Sequence, residues 1–86
     1  CDFSGATLLR ANFSESVLTF SRMTGADLRD ANFAHADLSK VDFQGADLSG
    51  ADFTEADLDG ANLVGARGLD SAKGFETSKN LDKAFR

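Results

Sequence analysis

Large apolar residues recur every five positions, at Phe3, Leu8, Phe13, Leu18 and onward to Leu63, with none of the thirteen centres missed. Two positions before each centre stands a small or modest residue, mostly Ala. The residue between is usually Asp or Asn, and the last two of each repeat are mostly polar or Gly. A helix turns 100° per residue, so a period of five would smear the apolar positions around its whole surface. A strand alternates with period two, which would send every second centre to the wrong face. Both apolar rows face one core only if the chain turns a corner in every repeat. The pattern therefore predicts a coil wound about an apolar axis, its turns stacked by backbone hydrogen bonds at roughly 4.8 Å.

The choice of centre sets the number of sides. Phe stands at 3, 13, 33, 43 and 53, and Leu at 8, 18, 28, 38, 48 and 58. This ten-residue alternation fits a four-sided coil of twenty residues, with Phe13, Phe33 and Phe53 in one column facing Phe3, Met23, Phe43 and Leu63. The Asx residue before each centre is expected to accept a hydrogen bond from a nearby backbone amide and so support the corner. The glycines two after their centres suit the same turn.

The repeats ADLRD, ANFAH, ADLSK, ADLSG and ADLDG resemble the A(D/N)LXX motif of the pentapeptide-repeat family over residues 1–65. That resemblance implies an all-β solenoid, a right-handed quadrilateral β-helix, here of about three coils. It also implies a non-enzymatic structural or protein-interaction role. Some members resemble duplex DNA in width and charge and act on type II topoisomerases, and others belong to cyanobacteria and the chloroplast thylakoid lumen. An accessory subunit of a photosynthetic assembly is the expected role, with DNA mimicry as the alternative. The tail, residues 66–86, leaves the motif. The spacing of Leu69 and Ala72, then Leu81, Ala84 and Phe85, predicts short amphipathic helices that cap the open end.

Charge sharpens the picture. Residues 1–65 carry 4 basic and 11 acidic side chains, while the tail carries 5 basic and 3 acidic. An acidic body argues against direct contact with nucleic acid or anionic lipid, and no stretch is long and apolar enough for a membrane span. Cys1 is the sole cysteine and falls at an inward, small-residue position. The chain starts at Cys1, inside the repeat and without Met, which reads as a processed form or a fragment. His35 is the sole histidine and should point outward, with no Cys or His at metal-ligand spacing. No catalytic, cofactor or metal site is expected. The candidate partner-binding residues are Leu9, Val17 and Phe20, apolar at positions that should face outward. Their counterparts one coil later are Arg29, Asp37 and Lys40. A protein partner or a second copy at the N-terminal end is the expected occupant.

Overall fold

The computed structural model describes residues 2–85, so the inward placement expected for Cys1 lies outside the described residues. Parallel bridges join each Asx-row residue to its counterpart twenty positions on, as in Asn12 to Asn32 to Asp52 and Val17 to Asp37 to Asp57. Twenty residues per turn and five per side give a four-sided coil. Its walls are side A, carrying Phe3, Met23, Phe43 and Leu63; side B, carrying Leu8, Leu28 and Leu48; side C, carrying Phe13, Phe33 and Phe53; and side D, carrying Leu18, Leu38 and Leu58. The phenylalanine column of side C is stacked as expected, with ring centroids 5.2 and 5.3 Å apart and planes 7° from parallel. Phe43 meets Phe33 and Phe53 edge-on from side A at 5.6 and 6.2 Å. The centres of the second and third coils are sealed from water, each worth about 1.5–3 kcal/mol of burial.

Corners are made the same way from Phe3 to Ala66. The amide of each small residue donates to the carbonyl of the preceding centre, as Ala36 does to Phe33 at 3.0 Å. The residue two after the centre holds a positive φ, the requirement of a type II turn at that place. All thirteen corner residues do so, including Arg10, Glu15, Phe20, Asp30, His35, Lys40 and Glu55, which carry side chains. Each of these seven costs about 1 kcal/mol in that region, so the corner geometry is imposed by the stack rather than chosen by glycine.

The tail departs from the helical cap expected for it. Among the described residues the only helical piece is a three-residue 3-10 turn, Leu81–Lys83. The chain instead runs on as a fourth coil: Asp47 bridges Arg67, Asp52 bridges Lys73, Asp57 bridges Lys79 and Asn62 bridges Phe85. The coil count is therefore four, not three. The offset grows from 20 to 21, 22 and 23, because sides B, C and D of this coil are each one residue longer. The sequence repeats with period six, as ARGLDS, AKGFET and SKNLDK. Its small and large inward rows interleave three residues apart, and that spacing imitates a helix. Gly68, Gly74 and Asn80, all at positive φ, break any real one. Phe75 extends the side C column, 5.0 Å from Phe53 and 11° from parallel.

The inserted glycines press on the coil above. A Cβ on Gly74 would run into the Thr54 backbone, whereas one on Gly45 meets nothing nearer than the Gly25 nitrogen at 4.0 Å. Gly74→Ala is expected to cost about 3 kcal/mol and Gly45→Ala about 1 kcal/mol, read from urea unfolding midpoints. Equal costs would contradict the close approach.

Candidate interaction surfaces at the two ends

The walls are bound up in their own hydrogen bonds. Asx side chains accept from the amide two residues on, as Asn32 does from Ala34 at 2.9 Å, Asp47 from Ser49 at 3.1 Å and Asp52 from Thr54 at 2.9 Å. No buried side-chain polar atom among the described residues lacks a partner, and no group of His, Cys, Asp and Glu there is arranged to hold a metal. His35 is exposed at its corner, its Nε2 3.6 Å from Glu55 Oε2, an exposed pairing of little energetic weight. No helix among the described residues is long and apolar enough to cross a membrane.

Charge is arranged in columns. Asp27 stacks on Asp47 and Asp37 on Asp57, each pair costing about 1 kcal/mol in water. The last coil answers this by placing Arg67, Lys73 and Lys79 at the bridge positions beside Asp47, Asp52 and Asp57. The tail's basic residues thus form a ring that offsets the acidic columns. The Asp47 and Asp52 carboxyls lie below the usual range, first through the Ser49 and Thr54 hydroxyls, with Arg67 and Lys73 adding to the effect. Asp57 is lowered first by the Asn80 amide, 3.0 Å away, and also by Lys79.

The two ends break the uniformity of the walls. At the N-terminal end Phe3, Leu8, Phe13 and Leu18 are only half-buried. Val17 and Phe20 stand 75% and 73% exposed, with Leu9 at 45%. Val17 lies on side D and Phe20 at the next corner, so these two adjoin. Leu9 sits at the B–C corner, diagonally across the coil, and is not brought together with them. At the C-terminal end Leu63, Leu69, Phe75 and Leu81, one from each side, line an open apolar hollow of about 200 Å³. Val64 and Phe85 are exposed beside it. Sequence reasoning missed this hollow, although the period of six in the tail was the signal for it.

A family model described as pentapeptide repeats matches eight copies over residues 1–33 and 31–67. The chain belongs to the pentapeptide-repeat family. Members fold as right-handed quadrilateral β-helices, in accord with the four-sided ladder. Among solved structures, trypsin-treated QnrB1, a plasmid-mediated fluoroquinolone resistance protein, is 31% identical at a TM-score of 0.76, covering 79% of this chain and 35% of its own. A pentapeptide repeat protein from Nostoc PCC 7120 is 40% identical at a TM-score of 0.52, covering 76% of this chain and 62% of its own. One from the Arabidopsis thaliana thylakoid lumen is 38% identical at a TM-score of 0.49, covering 92% of this chain and 55% of its own. This pentapeptide-repeat chain thus spans from about a third to under two thirds of the length of these structures. None of the curated proteins matches it significantly.

A carboxyl whose folded pKa is depressed stabilises above its ordinary value of 3.8 and loses that contribution as pH falls through the lowered native value. Stability is expected to be flat from about pH 7 to about pH 5 and to fall below about pH 4. Asp52→Asn and Asp57→Asn keep the oxygen acceptor, so they should blunt the acid loss, seen as a smaller drop in urea midpoint between those conditions. An undiminished drop would contradict these assignments.

Proposed function

We propose that the chain is a non-enzymatic protein-interaction module whose docking surface is the N-terminal end of the coil, with Phe20 as anchor and Val17 beside it. One observation carries the reading. Where later coils place Lys40 and Asp37, the first coil exposes an aromatic and a branched apolar side chain on adjoining positions. Phe20 holds φ at 64°, where a bulky side chain is poorly tolerated. Its presence there at a cost of about 1 kcal/mol or more supports a role that outweighs stability. The occupant is another protein or a second copy, since the acidic walls disfavour nucleic acid and anionic lipid. The setting we favour is an accessory subunit of a larger photosynthetic assembly, in a cyanobacterial cell or the chloroplast thylakoid lumen. The likeness to the Nostoc protein supports it.

A second reading, a DNA-mimicking modulator of a type II topoisomerase, has the acidic walls and the likeness to QnrB1 in its favour. The four coils of this chain reach about 19 Å at roughly 4.8 Å each, so imitating a duplex turn of roughly 34 Å would need a second copy or further coils.

Phe20→Gly separates stability from binding. It should raise stability by about 0.5–1 kcal/mol by relieving the corner while abolishing docking through the Phe20 side chain. Thermal unfolding and chemical cross-linking read the two effects. An unchanged cross-linked fraction would remove the apolar end as the docking surface, and a destabilised fold would place Phe20 in the core.

A further inference from the structure

The last coil differs from the other three by one inserted residue on each of three sides. Without Gly68, Gly74 and Asn80 the tail reads ARLDS, AKFET and SKLDK. These are three ordinary five-residue repeats whose Leu, Phe and Leu centres continue sides B, C and D. The insertion always falls directly after the bridge residue and always takes positive φ. Three insertions in phase, each at the same place in the repeat, mark a built feature rather than a decayed end.

Their effect is on the hydrogen bonds that reach the next coil. In the regular coils each side sends two amides downward, from the centre and from the corner. Phe33 donates to the Asp52 carbonyl and His35 to that of Thr54, both at 2.8 Å. In the last coil the corner amides of Ser71, Thr77 and Lys83 turn back onto the carbonyls of Gly68, Gly74 and Asn80, at 3.1, 3.1 and 2.9 Å. The corner amide is thereby withdrawn from the edge on all three sides. The Ser71 and Thr77 hydroxyls meanwhile accept from the Gly50 and Glu55 amides above, at 3.2 and 3.3 Å, so the coil stays fastened upward. Its bridge positions carry Arg67, Lys73 and Lys79, and charged residues, Lys above all, discourage strand addition at a sheet edge. The first described coil, residues 2–20, has neither insertions nor basic bridge residues. Its bridge positions are Asp2, Thr7, Asn12 and Val17, and its repeats are of the regular length.

We propose that Gly68, Gly74 and Asn80 are a terminator of the coil: they make the C-terminal end refuse a further β-coil from a second copy of this chain, so that copies do not add end to end. Head-to-tail addition of identical solenoids does not close and grows into fibres, and the terminator removes one of the two edges such growth needs. The proposal deepens the reading of the N-terminal end as the docking end, but it does not depend on Phe20.

The test is the mass in solution of the full chain lacking Gly68, Gly74 and Asn80, by sedimentation, with and without Phe20→Asp. In both backgrounds the deletion should convert the parent species into a concentration-dependent series of several-fold larger mass. A deletion chain with native-like circular dichroism and the parent's mass overturns the terminator. Failure of self-docking through Phe20 would show separately, as no effect of Phe20→Asp on the parent's mass. A tandem fusion in which Lys83 of one copy runs directly into Cys1 of the next keeps the question answerable should the deletion chain not fold. With the insertions present the copies should unfold with the denaturant slope of one chain, and a slope about twofold larger, showing one coil running through the tail, overturns the proposal.

Discussion

A five-residue side has five backbone amides to place, and the fold follows from where they go. On side C of the second coil, Ala31 donates to the Leu28 carbonyl within the corner and Asn32 to Ala11 in the coil above. Phe33 donates to Asp52 below, Ala34 to the Asn32 side chain and His35 to Thr54 below. Nothing is left over, as a buried backbone demands. Each feature of the repeat serves this pattern. The Asx residue supplies the acceptor that the backbone lacks, the positive φ at the corner aims the last amide downward, and the small residue lets the wall close on the core. Seven side-chain-bearing residues accept an unfavourable φ because the alternative is an unpaired amide at each corner.

Such a wall leaves few polar groups free, and the repeat pattern lapses at its two ends. The first coil lacks an Asx acceptor at Thr7 and Val17, and it carries its apolar exceptions nearby at Leu9, Val17 and Phe20. The last coil lapses differently, by lengthening. There the hydroxyls of Ser71 and Thr77 take the place of corner carbonyls, while Lys83, in the equivalent position, accepts nothing from Gly60 among the described residues. One end keeps a regular edge and apolar side chains; the other turns its corner amides inward beneath a basic ring.

The coil and its phenylalanine column were legible in the sequence because two inward rows at a period of five admit one arrangement only. Residues 66–85 were not, for a physical reason. Adding one residue per side places Ala66, Leu69, Ala72 and Phe75 three apart, which is also the spacing of a helical face. The positive-φ residues Gly68, Gly74 and Asn80 decide between the two, and their common phase was the signal. Outward exposure of Leu9, Val17 and Phe20 could be read from position in the repeat. Their separation around the coil required the order of the corners, which sets Leu9 diagonally opposite Phe20.

Native-state amide hydrogen exchange tests this hydrogen-bond pattern most directly. The account predicts strong protection at the amides of Leu48, Phe53 and Leu58, which donate into the fourth coil at 2.7 to 2.9 Å, and at the corner amides of Asp30, His35 and Lys40. It predicts fast exchange at Leu69, Phe75 and Leu81, whose amides have no partner among the described residues. Protection of those three comparable to that of Leu48, Phe53 and Leu58, as a helical tail would give, would contradict it.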